Sequence, residues 1–394
     1  MWGIIMKLFK SLLVAPATLG LLAPLSSNAT EVNLNEIANY SDVEGIEFVN
    51  SFETVNSDEG SLLAGGEGLI DDTSYDGGFS ETSTASFSLD FYLGAQDDEE
   101  SASGPETDAS DDALTFGYSL GIGINTSFTG EDSLDITIDA GNSTEGVAEF
   151  DGNTNGDTLT VDGISYTFPV GDATFIVGDS TDGSALFTTA CVYGGPGNLL
   201  DDCANVNAGI TGGAATIGAS YDFGNGFTAA TGFQTDSTVS GTFTDESLDA
   251  YAFNAAYIAD SYGVSLTYGI VETSSLNEDK FTAFNAYYTP EGYFPSISVG
   301  YEAGDIGGAD ASVDEKTSFM VGLSWDEVGP GTAGVAVGHS NTIEGTDEAY
   351  QYEAYYSYDI NDGMTITPLI FTKDNVTSGL DDTTGVMVKT SFSF

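Results

Sequence analysis

Residues 114–125 read Leu-Thr-Phe-Gly-Tyr-Ser-Leu-Gly-Ile-Gly-Ile-Asn. Leu114, Phe116, Tyr118, Leu120, Ile122 and Ile124 fall on one parity. Thr115, Gly117, Ser119, Gly121, Gly123 and Asn125 fall on the other. A period of two is the signature of a β-strand with one oily face and one wet face. Taken alone, the stretch fits any half-buried sheet. From Phe87 to the last residue, however, the pattern recurs about sixteen times, as in a closed barrel whose outer face meets lipid.

The candidate strands are 84–95, 113–126, 133–142, 158–169, 172–178, 207–223, 226–234, 249–259, 262–272, 281–289, 294–303, 316–326, 331–340, 349–359, 364–373 and 383–394. Their connections alternate in length. Those at 96–112, 143–157, 179–206, 235–248, 273–280, 304–315, 341–348 and 374–382 are long and acidic. Those between are tight and hold Gly or Pro, as in Phe223-Gly224-Asn225-Gly226 and Asn361-Asp362-Gly363. A soluble sandwich has no reason to sort loop length by parity, whereas a membrane barrel puts short turns on the periplasmic side and long loops outside. The predicted fold class is therefore all-β, a transmembrane antiparallel β-barrel of about sixteen strands.

Faces follow from parity. Val264, Leu266, Tyr268 and Ile270 are expected to meet lipid, with Gly263, Ser265, Thr267 and Gly269 inside. Phe319, Val321, Leu323 and Trp325 are expected outside, with Ser318, Met320, Gly322 and Ser324 inside. Tyr287-Tyr288, Tyr293-Phe294, Tyr355-Tyr356 and Tyr358 suit interfacial girdles. Residues 364–373 are apolar on both faces and contain Pro368, which donates no ladder hydrogen bond, so a bulge is expected there.

Composition narrows the partners. Lys and Arg total 6 against 62 Asp and Glu, and Arg is absent. Nucleic acid is excluded, because no cationic surface exists to displace phosphate counterions. A hydrophobic fraction of 41% and an aromatic fraction of 12% argue against disorder for most of the chain.

The start reads as a secretory leader over 1–29. Lys7 and Lys10 form a basic region, Leu12 to Leu25 an apolar core, and Ser27-Asn28-Ala29 a small-x-small cleavage site. Its removal leaves Lys280, Lys316, Lys373 and Lys389 as the only cations apart from His339. Residues 30–78 are acidic, rich in Gly and Ser, and read as a periplasmic N-terminal segment. The barrel domain is then 79–394.

Inward parity places Asp90, Asp135, Asp139, Glu302 and Glu353 in the lumen, with Lys389 the clear cation among them. A lumen of one sign concentrates ions of the other, so a cation-preferring pore is expected. The longest connection, 179–206, holds Cys191, Cys203, Gly194-Gly195-Pro196-Gly197 and the acids Asp179, Asp182, Asp201 and Asp202. Two readings stand: a constriction loop folded into the lumen, or an external loop. An even cysteine count in an exported chain suggests one Cys191–Cys203 disulfide. So short a loop gains about 3 kcal/mol at most.

The dense external acids, such as Asp97-Asp98-Glu99-Glu100, could hold Ca²⁺ or Mg²⁺ loosely, but solvated charge is the plainer reading. No cofactor and no tight metal site are expected. One histidine and no nucleophile triad, CxxC pair, HExxH or phosphate loop give no support for an enzyme.

The leader MKLFKSLLVAPATLGLLAPLSSNATE, from Met6, resembles that of outer-membrane porins of marine cyanobacteria, within the carbohydrate-selective and iron-uptake porin group. Further likeness lies in Thr126-Ser127-Phe128-Thr129-Gly130-Glu131-Asp132-Ser133-Leu134, in Ala140-Gly141-Asn142 and in Tyr166-Thr167-Phe168-Pro169-Val170-Gly171-Asp172. The resemblance implies an outer-membrane diffusion channel for inorganic ions and small hydrophilic solutes, usually a homotrimer. It also implies an S-layer-homology segment that binds cell-wall polymers. Residues 30–78 are too short and too acidic for that segment, so peptidoglycan binding is not carried over.

The expected partners are outer-membrane lipid, two further copies of the chain, and the barrel-assembly machinery, with Phe392 and Phe394 as the C-terminal assembly signal. The alternatives are a non-conducting barrel with a surface or structural role, and a secreted acidic β-protein.

Overall fold

A computed structural model describes residues 83–97, 113–143, 145–198, 200–235, 244, 248–274, 277–307, 315–376 and 381–393. The leader, the segment 30–78, residues 98–112 of the first acidic connection and Phe394 lie outside the described residues.

Sixteen strands among the described residues close into one antiparallel barrel, each beside its neighbours in sequence. They are β1 (Ser83–Asp97), β2 (Thr115–Thr126), β3 (Ser133–Gly141), β4 (Thr160–Val170), β5 (Ala173–Asp179), β6 (Ala215–Gly224), β7 (Phe227–Thr235) and β8 (Asp249–Ile258). The second half is β9 (Tyr262–Ser274), β10 (Asn277–Tyr288), β11 (Ser296–Asp305), β12 (Glu315–Val328), β13 (Gly331–Ile343), β14 (Gln351–Asn361), β15 (Met364–Lys373) and β16 (Thr383–Ser393). β1 closes on β16 in unbroken register from Ser88↔Ser393 to Asp97↔Thr384. Closure leaves no strand edge unpaired.

The faces follow the parity. Val264, Leu266 and Tyr268 point outward and are exposed, while Gly263, Ser265, Thr267 and Gly269 are buried inside. On β12, Ser318, Met320, Gly322 and Ser324 are buried inside. Phe116, Ile217, Phe253, Phe284, Tyr301 and Ile370 are exposed on the outer wall. Apolar side chains outside and small polar ones inside invert a soluble core, as a lipid-facing barrel requires. Phe128, Phe223, Phe227, Tyr288, Tyr293 and Phe294 are exposed beside the short turns, forming an aromatic belt at one end. Tyr355, expected in a girdle, instead points inward and is buried.

The short turns use chemistry suited to them. Gly224, Asn225 and Gly226 join β6 to β7 with φ of 77°, 56° and 84°. Two residues with positive φ give a turn whose twist matches that of its strands.

The turn after β2 is held by one carboxylate. Asp132 Oδ1 accepts from Ser127 Oγ (2.7 Å), Thr129 N (2.8 Å), Thr129 Oγ1 (2.8 Å) and Phe128 N (3.0 Å). Its Oδ2 accepts from Tyr166 Oη at 2.6 Å. These donors, Ser127 and Tyr166 foremost, hold the Asp132 carboxyl well below the usual range.

Three expectations are corrected. Residues 207–214, read as the start of a strand, belong to the preceding connection, and β6 begins at Ala215. The connection between β9 and β10 is only 275–276, because both strands run on past the apolar band and pair Glu278 with Glu272 and Asn277 with Ser274. Pro368 makes no bulge: Tyr355↔Leu369 and Tyr358↔Ile366 keep one register on either side of it. The irregularity on β14–β15 lies instead at Asp359/Asn361, beside the turn.

Asp132→Asn removes a charged acceptor from five donors and is expected to lower the thermal unfolding temperature by a few degrees at neutral pH. The native pKa is depressed, so this stabilisation is present above the unfolded carboxylate range and lost as pH falls from that range through the lower native value. Thermal melts of both proteins at neutral and acid pH, followed by circular dichroism, should show the gap closing in acid.

Candidate functional site

The barrel interior is not an empty wet tube. The connection between β5 and β6, residues 180–214, folds inward as a two-armed tongue. Its outgoing arm is read by side chains on successive strands. Gly183 N donates to Gln234 Oε1 on β7 (2.8 Å), Thr188 N to Asn254 Oδ1 on β8 (3.0 Å) and Ala190 N to Ser265 Oγ on β9 (2.9 Å). Val192 N and Tyr193 N both donate to Ser298 Oγ on β11 at 3.0 Å, and Tyr193 Oη donates to Glu353 Oε1 on β14 at 2.6 Å. The return arm passes back over β13, β11, β10, β9 and β7.

Glycines make this seat. A methyl group on Gly232 would strike the Gly183 carbonyl, and one on Gly300 the Cys203 carbonyl. On the tongue itself, a methyl on Gly195 or Gly197 would strike the Glu353 carboxylate. What the two wall glycines would strike is backbone of the tongue, which cannot give way unless the arm itself moves.

The arms are tied to each other. Cys191 and Cys203 form a disulfide, and Gly212 N donates to Asp182 Oδ1 at 2.6 Å. The sequence left open whether 179–206 lies inside or outside; its hydrogen bonds run to inward-facing side chains.

A second connection also enters. Within 142–159 a 3-10 turn over Glu145–Phe150 packs against β1 and β2. Tyr92 stacks on Phe150 at 5.6 Å between centroids, and Lys389 Nζ sits 5.9 Å from the centre of the same ring. Asn198 N donates to the Glu149 carbonyl at 2.9 Å, which joins this turn to the tip of the tongue. Between them lies a cluster of Tyr92, Val147, Phe150, Tyr193, Leu200, Met320, Tyr355, Leu369, Phe371 and Met387. The barrel thus carries a small apolar core on its inner wall, to which β15, apolar on both faces, contributes Leu369 and Phe371.

The expected pore residues divide into two groups. Asp90, Asp135 and Asp139 point inward on β1 and β3, and Lys389 points inward on β16. Asp135 accepts from Asn125 Nδ2 and Ser133 Oγ, both at 2.6 Å. Asp139 accepts from Thr160 Oγ1 (2.6 Å), from Asn155 Nδ2 (3.1 Å) and from Asn153. Glu302 and Glu353 also point inward, but the tongue covers them, leaving 1% and 4% of their surface exposed. They hold the tongue and do not line open space.

The acids of the connection divide as well. Asp179 is a correction: it is the exposed last residue of β5 on the outward parity, because that strand runs one residue further than read. Asp182 lies at the base of the tongue, and Asp201 and Asp202 near its far turn. The surrounding protein, then the Asp202 and Asp151 carboxylates, push Asp201 up to about 7, although its side chain still meets solvent. Asp202 is raised by burial and by Glu302, Asp151 and Asp182. Phe392 points outward at the closure seam, 6.1 Å from the Phe91 ring.

Beside the tongue, against β3 and β4, lies an open cleft of about 650 Å³. Asp135, Asp162 and Asp182 line it, with the hydroxyls of Thr137, Thr160 and Ser165. Sequence parity missed Asp162, which lies opposite a register shift between Thr137 and Ile138. Among the described residues no group of three or more His, Cys, Asp or Glu is arranged to hold a metal ion.

No protein-family model matches the chain, and no curated protein matches it. Solved structures do. OprB of Pseudomonas putida, in its high-pH structure, aligns with a TM-score of 0.56 at 12% identity, over 79% of this chain and 94% of that one. An anion-selective porin from Comamonas acidovorans gives 0.56 at 15% identity, over 79% and 99%. A loop L8 deletion mutant of OmpT, an outer-membrane protein of Vibrio cholerae, gives 0.55 at 10% identity, over 80% and 100%. At such identities the likeness concerns the fold.

Gly300→Ala places a methyl group against the Cys203 carbonyl and is expected to lift the return arm from the wall. Limited proteolysis of the detergent-solubilised protein should then cut within 180–214 several-fold faster, while the barrel keeps its heat-modifiable migration on a gel. Equal cleavage in the two proteins would contradict the seating.

Proposed function

We propose that the protein is an outer-membrane porin, a passive diffusion channel for inorganic ions and small hydrophilic solutes that prefers cations. The observation that carries this reading is the cleft that the tongue leaves open, lined by Asp135, Asp162 and Asp182 with hydroxyls and no lysine. A lumen of one sign in low-dielectric walls concentrates ions of the opposite sign. The likeness to porin folds supports a channel. The Comamonas neighbour is named as anion-selective; the acids of this cleft argue for the opposite sign here.

The same reading takes the leader as the export signal, the outer membrane as the destination and the barrel-assembly machinery as the route. It takes a homotrimer as the assembled form, with the exposed apolar wall as the surface available to lipid or to another copy. The chemistry required is binding and passage, with no bond made or broken. No residue named above supports a particular sugar or iron compound as the solute.

A second reading has an observation of its own. The tongue, the 3-10 turn and the inner apolar cluster fill much of the interior, as they would in a barrel with a structural role at the cell surface. Conductance separates the two.

Refolded protein in a planar bilayer is expected to give discrete current steps, and under a salt gradient a reversal potential of the sign for cations. Chloride preference would overturn the selectivity, and silence would favour the structural reading. The surrounding protein and the neighbouring Asp202 and Asp151 carboxylates push Asp201 up to about 7, so it gains charge as pH rises through neutrality. Cation preference should therefore increase between mildly acid and mildly alkaline pH, and Asp201→Asn should flatten that increase.

A further inference from the structure

The return arm of the tongue is held at one place by four successive strands. From β10, Asn285 Nδ2 donates to the Cys203 carbonyl at 2.7 Å. From β11, Gly300 leaves room for that carbonyl, and Glu302 accepts three bonds: Asn207 N (2.9 Å), Asn207 Nδ2 (2.6 Å) and Ala208 N (2.7 Å). From β13, Asn341 Oδ1 accepts from Asn207 Nδ2 at 2.8 Å, and Asn341 N is itself held by Ser318 Oγ of β12 at 3.0 Å.

The outgoing arm reaches a carboxylate of a facing strand through a side chain, the Tyr193 hydroxyl on Glu353, and among the described residues no carboxylate takes its backbone N–H groups. Its backbone N–H groups meet single neutral acceptors: Gln234, Asn254, Ser265 and Ser298. A carboxylate that receives two consecutive backbone N–H groups makes shorter and stronger bonds than such neutral pairs. The arm also needs restraint at this point. Cys203 and Ala204 adopt φ of 52° and 58°, which residues with a side chain hold only where their surroundings over-determine them.

We propose that Glu302 is the positioning residue of the tongue: its carboxylate fixes the return arm on the wall at Asn207 and Ala208 and thereby the side of the cleft that the same arm forms at Gly212 and Gly213. Its role is to hold a loop, and the permeating ion does not touch it. The part of this inference that concerns the cleft rests on the porin reading; the part that concerns the arm does not.

Two measurements on the full chain in detergent and in bilayers test it. Glu302→Gln keeps the size of the side chain but removes the charge that strengthens the two backbone bonds to Oε2 and sets an amide nitrogen against the Asn207 Nδ2 donor at Oε1. Hydrogen exchange of the peptide covering 203–210 should accelerate at least tenfold, with β10 to β12 unchanged and heat-modifiable migration retained. In the bilayer, the steady level of the wild type should become several fluctuating levels, the largest exceeding it, and Glu302→Asp should restore part of the steadiness.

Exchange at the wild-type rate in Glu302→Gln would overturn the proposal. So would faster exchange with an unaltered current trace. If Glu302→Gln does not fold, Asn207→Ala weakens the same clasp from the tongue side, and its peptide must exchange faster or the proposal fails. If the wild type itself carries no current, the porin reading falls while the exchange result still decides the role of Glu302.

Discussion

Hydrocarbon offers no partner to a backbone N–H or C=O, and every other feature of the barrel follows from that. A chain that crosses it with strands must close the sheet on itself. Here the closing pair is β1 with β16, ten consecutive partners without a break. Once the sheet is closed, each strand has one face toward the outside and one toward the interior, and period two assigns every side chain to one of them. The apolar wall, the aromatic belt and the inward acids are consequences of that single condition.

Closure also creates an interior that must be filled or left wet, and this chain does both. Toward β11–β16 it builds an apolar cluster around Met320, Leu369, Phe371 and Met387 and lays the tongue over it. Toward β3 and β4 it leaves carboxylates and hydroxyls facing open space. The division is set by small residues as much as by large ones. Gly232, Gly269, Gly300, Gly322 and Gly338 stand on successive or nearby strands, each with the tongue in the space a side chain would occupy.

Much of this was legible before any coordinates. The alternation at 114–125, the sorting of loops by parity and the faces of 262–272 and 316–326 lead to the barrel directly, because each needs only local periodicity. The interior resisted for the same reason. Glycine on the wet parity looks the same whether it faces water or the backbone of a loop docked from far along the chain. Residues 207–214 passed for strand because Ala208 and Ile210 alternate, yet they are buried against the tongue's own seat. Parity finds Glu302 and Glu353 but not what covers them, since nothing local records partners 95 and 160 residues away. The apolar Met364 to Lys373 stretch, apolar on both faces, was the one visible hint of an inner core.

The clamp between Cys191 and Cys203 carries a consequence for how the molecule comes into being. Cys203 retains 2% of its surface, with its carbonyl against Gly300 of β11, and Cys191 is half-buried. Thiol–disulfide exchange needs a thiolate to approach a sulfur along an open path. An oxidant therefore meets these sulfurs most easily while the tongue still stands free of the wall. A tongue already cross-linked is shorter and stiffer when the sheet shuts around it. Burial of Cys203 thus favours oxidation before enclosure over the reverse order.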